Sequence, residues 1–190
     1  MSKAPHIVLG VTGSIAAYKA AELVRLMIRR KWDVSVIMTR GAEEFITPLT
    51  FQTLSRNPVG TGLFEEKDGW HPEHISYADR ADVLVIAPCT ANVIAKLACG
   101  LADDLLSCTA LATRAPVLIA PAMNDNMWAH PATCANVATL KGRGVHFTEV
   151  GSGDLACGRV GEGRLTEPDR IVEAASRLLT QHPDRKRSTE

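Results

Sequence analysis

Short apolar runs, each long enough for one strand, alternate with longer stretches of helical periodicity along most of this chain. Residues 6–11 (HIVLGV), 33–38 (DVSVIM), 82–87 (DVLVIA) and 116–120 (PVLIA) are nearly continuous in Val, Ile and Leu, and 145–148 form a weaker fifth run. Residues 15–30, 92–98, 105–113, 131–143 and 167–179 carry apolar side chains at helical spacing. A strand that is apolar at every position is buried on both faces, and helices between such strands supply the cover. The expectation is one α/β domain, a three-layer sandwich with a parallel sheet, over residues 1–181. Residues 182–190 are charged and lack apolar anchors, so they read as a frayed tail.

Charge and cysteine usage narrow the partners. With 21 basic and 21 acidic residues the formal net charge is zero, which argues against nucleic acid as the main partner. The apolar runs are too short to span a bilayer, and the N-terminus runs from Met1-Ser2-Lys3 into a strand without a signal-peptide pattern. Five cysteines include no CxxC pair and no zinc-type spacing. These features predict a cytoplasmic protein with free thiols, without a metal and without a membrane partner.

In open parallel sheets ligands sit beyond the carboxyl ends of the strands. After the first run stands Gly10-Val-Thr-Gly13-Ser14-Ile-Ala-Ala17. Glycines let backbone N–H groups approach an anion, the helix N-terminus favours negative charge, and Ser14 adds a hydroxyl and reads as an N-cap. The spacing is not GxGxxG, and Met38-Thr39 ends the second run where a dinucleotide site needs a carboxylate. A mononucleotide phosphate fits better, so the fold is expected to be Rossmann-like or flavodoxin-like. A capped helix after a glycine turn would explain this loop alone. APCTAN at 87–92 and PAMNDNMW at 121–128 follow the third and fourth long runs. For Thr90 alone, capping the next helix is the simpler reading. Two Met, one Trp and two Asn in one connection exceed what a turn needs.

At this point the chain resembles the homo-oligomeric flavin-containing cysteine decarboxylases, most nearly their bacterial phosphopantothenoylcysteine decarboxylase branch. The resemblance runs from about residue 6 to 179. It rests on VTGSIAAYK at 11–19, His74-Ile75, APCTAN, PAMNDNMW and ACGRVGEGR at 156–164. It implies bound flavin mononucleotide (FMN) held by Gly13, Ser14, Thr39, Phe45, Pro88, Cys89, Thr90, Ala91 and Ala122. It also implies catalytic roles for His74, Asn124 and Cys157, with Asn124, Met127, Ala156, Cys157 and Gly158 meeting the substrate. Members form homotrimers or assemblies of trimers. Bifunctional members continue into a synthetase domain that this sequence does not contain, so a phosphopantothenoylcysteine synthetase is an expected partner on a separate chain or a missing domain.

The implied chemistry suits these residue types. Losing CO₂ from a cysteine carboxylate leaves electrons on Cα, and oxidation of the neighbouring CH₂–SH to a thioaldehyde creates a sink for them. The Asn124 amide can hold the carboxylate out of plane without repelling it. His74, with His71 its rival, carries an imidazole that can assist thiol deprotonation or the hydride step. Cys157, in the Gly-rich loop 149–164, can protonate the enethiolate. Gly158, Gly161 and Gly163 suit the hinges of a lid, and Arg159 and Arg164 can meet the substrate phosphate or simply face solvent. Met123, Met127 and Trp128 can also be core or subunit-interface filler. The rival activities are a peptidyl-cysteine decarboxylase, a flavin prenyltransferase relative, a non-catalytic flavin-binding regulatory protein, and a generic NAD-binding domain.

Overall fold

The structure, a computed structural model, describes residues 4–64, 72–154, 158 and 160–181. Among these residues the long runs form β1 (His6–Val11), β2 (Asp33–Met38), β4 (Val83–Cys89) and β5 (Val117–Pro121). Two-residue strands, β3 (Val59–Gly60) and β6 (His146–Phe147), complete a six-stranded sheet in the order β3-β2-β1-β4-β5-β6, every pairing parallel. That is the Rossmann order, in which the chain leaves β1 first to one side and then to the other.

The period-two alternation of the strands splits the core in two. Ile7, Leu9 and Val11 of β1, with Val83 and Val85 of β4, face α1 (Ala17–Arg29), α3 (Pro48–Ser55) and α9 (Pro168–Gln181). Val8, Leu84, Ile86 and Ile119 face the other layer. That layer holds α4 (Glu73–Arg80), α5 (Ala91–Cys99), α6 (Leu105–Ala112) and α8 (Pro131–Gly142). The expected three-layer sandwich is therefore present. Gly10 is bare because a Cβ there would press into the Leu106 side chain of α6, so its small size serves packing.

Several elements lie outside the sequence expectation. The helix expected over 15–30 begins at Ala17, and its N-cap is Ala16, not Ser14. Ser14 acts two residues upstream instead. Its Oγ accepts from Ala16 N–H at 3.3 Å and its carbonyl accepts from Ala17 N–H at 2.8 Å. The helices α2 (Arg40–Glu43), α3, α4 and α7 (Asp125–Ala129) were not read as separate elements. The Gly-rich segment expected as a loop supplies an antiparallel pair, β7 (Gly151–Asp154) and β8 (Val160–Arg164). The expected tail at 182–190 lies outside the described residues.

The amino ends of the strands are closed by charge. His6, wholly buried as a side chain, places Nδ1 2.8 Å from Asp33 Oδ2, and Asn57 Nδ2 donates to Asp33 Oδ1 at 2.8 Å. His6 N–H donates to Asp82 Oδ2 at 2.7 Å, and Arg80 stands 3.9 Å from Asp33. Burial pushes the Asp33 carboxyl up, but hydrogen bonds from Asn57 and His6 and the positive charges of His6 and Arg80 outweigh it. Together they hold the carboxyl below the usual aspartate value.

Candidate active site at the carboxyl rim

Parallel strands place the segments following β1, β2, β4 and β5 on one rim of the sheet. A cleft of about 530 Å³ opens there, lined among others by Ser14, Ala122, Met123, Asn124, Gly163 and Arg164. Its size suits a mononucleotide or a small substrate. Lys19, Tyr18 and Asp154 also reach it, so it lies between the start of α1, the end of β5 and the hairpin.

Asn124 is fixed by the turn it builds. As N-cap of α7 its Oδ1 accepts from Asn126 N–H at 3.0 Å, which orients Nδ2 as the donor end of the amide. The hairpin docks on the same segment through main chain: Met123 N–H donates to Gly163 O at 2.8 Å. Gly163 has φ 134°, and a Cβ there would overlap the Met123 carbonyl oxygen. At Gly161 a Cβ would lie 2.9 Å from the Asp125 Cβ. These glycines allow close approach, and the ACGRVGEGR and PAMNDNMW motifs meet because of it.

The remaining predicted positions among the described residues do not line this cleft. Gly13 packs on the start of α2, where its Cβ would sit 2.9 Å from the Gly41 carbonyl carbon. Thr39 donates its N–H to Val11 O at 3.0 Å, which ties the end of β2 to the end of β1. Phe45 follows α2 with about half its surface open. Pro88 and Cys89 are buried at the end of β4, and burial pushes the Cys89 thiol well up, which disfavours a thiolate there. Thr90 does cap α5, accepting from Val93 N–H at 3.4 Å, and Ala91 begins that helix half-buried. His74 is half-buried in the first turn of α4, the crossover helix leading to β4. Met127 is exposed, whereas Met123 and Trp128 pack partly on the second core. Gly158 adopts φ 79°, and Ala156, Cys157, Arg159 and the rival His71 lie outside the described residues.

Sequence reasoning missed Thr12 and Gly41. Thr12 is wholly buried between β1 and Gly13, with its hydroxyl bonded to Pro88 near the end of β4 and to Thr90 just after it. A polar residue at the end of an otherwise apolar strand was the available signal. Gly41 showed its importance only once α2 was folded against Gly13.

Comparison with known proteins extends this picture. The Flavoprotein family model matches residues 1–180. The chain is 49% identical over 176 residues to the coenzyme A biosynthesis bifunctional protein CoaBC of Bacillus subtilis, covering 93% of this chain and 43% of that protein. The chain thus spans less than half the length of that relative. Among solved structures it is similar to a PPC decarboxylase mutant complexed with pantothenoylaminoethenethiol, with TM-score 0.81, 30% identity, and coverage of 94% of this chain and 100% of the other. It is equally similar to the FMN-dependent cysteine decarboxylase SpaF, with TM-score 0.81, 30% identity, and coverage of 94% and 97%.

Proposed function

The chain belongs to the Flavoprotein family, and from that membership we propose that it is an FMN-dependent decarboxylase converting 4′-phosphopantothenoylcysteine to 4′-phosphopantetheine in coenzyme A biosynthesis. The observation that carries this reading is Asn124. Its amide is pinned by its own turn on the wall of a cleft shared with Ser14 and closed on another side by β8. The rim suits FMN: no carboxylate ends β2, where Met38-Thr39 stands, and Ser14 offers its hydroxyl to the cleft beside small residues. Gly13, Ser14, Thr39, Phe45, Pro88, Cys89, Thr90, Ala91 and Ala122 would hold the cofactor.

The chemistry FMN supplies when bound is reversible hydride exchange, which lets CO₂ leave without net oxidation. The Asn124 amide donates to the departing carboxylate and orients it. His74, in the first turn of α4, would assist thiol deprotonation or the hydride step, and Cys157 would return a proton to the enethiolate. Met127, Ala156 and Gly158 border the substrate. His74 does not line the cleft that contains Asn124. A homotrimer in which a neighbour completes each site accounts for that separation, and it covers the exposed Ile15, Tyr18, Phe45 and Met127. A phosphopantothenoylcysteine synthetase, on another chain or domain, supplies the substrate.

Peptidyl-cysteine decarboxylation needs the same carboxylate chemistry. The higher identity to the coenzyme A relative favours the small substrate. Purified protein is expected to be yellow, to release FMN on denaturation, and to produce CO₂ and 4′-phosphopantetheine from phosphopantothenoylcysteine. A protein that takes up no flavin refutes the cofactor. Turnover only of a peptide ending in cysteine refutes the substrate.

A further inference from the structure

The strand order reverses between β1 and β4, and a crevice at such a switch point is where a parallel sheet receives its ligand. One side chain crosses that crevice inside the protein. Thr12, wholly buried, donates its hydroxyl to Pro88 O at 2.8 Å and accepts from Thr90 N–H at 3.0 Å. A single hydroxyl therefore satisfies both backbone groups that bracket Cys89. The Cys89 carbonyl in turn accepts from Ala122 N–H at 2.9 Å, which carries the link on to the end of β5. On its other side Thr12 holds Ser14 through its backbone, Ser14 N–H donating to Thr12 O at 2.8 Å.

We propose that Thr12 is a positioning residue for the phosphate end of the flavin, its hydroxyl setting the separation between the Ser14 loop and the Thr90 loop. The inference rests on the FMN reading above. A phosphate is gripped by donors at fixed distances, so donors on two loops bind well only when something holds the loops in register. The isoalloxazine ring makes broader, less directional contacts and depends less on that register. Removing the hydroxyl leaves the buried Pro88 carbonyl and the part-buried Thr90 N–H without this partner, and the two loops relax independently.

The test is equilibrium binding of FMN and of riboflavin to the flavin-stripped full chain, followed by flavin fluorescence well below each variant's melting temperature. Thr12→Val keeps the shape and removes the hydroxyl; Thr12→Ser keeps the hydroxyl. For Thr12→Val, FMN affinity is expected to fall at least tenfold while riboflavin affinity stays within twofold. For Thr12→Ser, FMN affinity stays within threefold of wild type. Thr12→Cys, which retains only a weak sulfur donor, is read in the same way where the valine variant does not fold. Equal losses for FMN and riboflavin overturn the proposal, because they mean that Thr12 only supports the fold. A serine variant as weak as the valine one overturns it too. Unchanged FMN affinity in Thr12→Val refutes the role of Thr12 alone, whereas a wild type that binds neither flavin refutes the FMN reading with it.

Discussion

The two ends of the parallel sheet share the same strands and are built for opposite purposes. At the amino end, polar side chains bond mainly to one another: His6, Asp33, Asn57 and Arg80 form a group, with Asn57 also on the Val34 carbonyl and Asp82 on the His6 backbone. At the carboxyl end, polar groups bond to main chain instead and shape it: Thr12 to Pro88 and Thr90, Asn124 to Asn126, Ser14 to Ala16. The first pattern consumes its donors and acceptors in holding strands together. The second spends side chains on the backbone and leaves a cleft beside it. The lesson is that the direction of the strands, more than residue type, decides whether a polar cluster serves stability or ligand binding.

The sharpest way to break this contrast is Gly163→Ala. The added Cβ overlaps the Met123 carbonyl, and φ 134° is strained for alanine, so β8 must leave the Asn124 segment. Turnover is expected to fall at least about a hundredfold, roughly 2.7 kcal/mol of barrier, together with a smaller fall in melting temperature from the strained residue and the lost main-chain bond. A fully active variant would show that the hairpin contact is dispensable. Next in size, Asn124→Asp would, on the proposed reading, place a negative charge against the substrate carboxylate. CO₂ release is expected to slow at least about tenfold, or roughly 1.4 kcal/mol, at constant stability, since aspartate caps a helix as well as asparagine. Unaltered release would remove Asn124 from the chemistry.

The smallest effect belongs to the amino end and should have the reverse signature. Asp33→Asn is expected to lower stability by about 1 kcal/mol or less, since the carboxylate is partly exposed, and to leave turnover intact. The folded Asp33 carboxyl titrates below its ordinary value of 3.8, so its contribution is complete above that value. It fades as pH falls through the lower folded value. Melting curves of wild type and Asp33→Asn should therefore differ at pH 7 and converge in strong acid. A gap that widens on acidification would contradict the sign.

What the sequence revealed follows from where pattern is strong. β1, β2, β4 and β5 and the helices α1, α5, α6, α8 and α9 were legible to within two residues because their apolar periodicity records the two faces of one sheet. β3 is too short to carry a pattern, and α3 and α4 each bury only two residues, Phe51 with Ser55 and Tyr77 with Ala78. β7 and β8 were hidden because their contacts are made by glycine and main chain, which leave no hydrophobic signature. Asn124, Ser14 and Ala122 were legible as motif members and do share one cleft. Thr12 stands in one of those motifs too, but its role was not legible, since its partners lie 76 and 78 positions away in sequence.

The contact between Gly13 and Gly41 is lopsided. A methyl on residue 13 would strike the carbonyl carbon of its neighbour at 2.9 Å, whereas one on residue 41 would meet the opposite Cα at 3.4 Å, near ordinary contact. Substitution can therefore explore one partner and not the other. An alanine at residue 41 would fit this seam with little adjustment, whereas one at residue 13 would push the loop after β1 and the start of α2 apart.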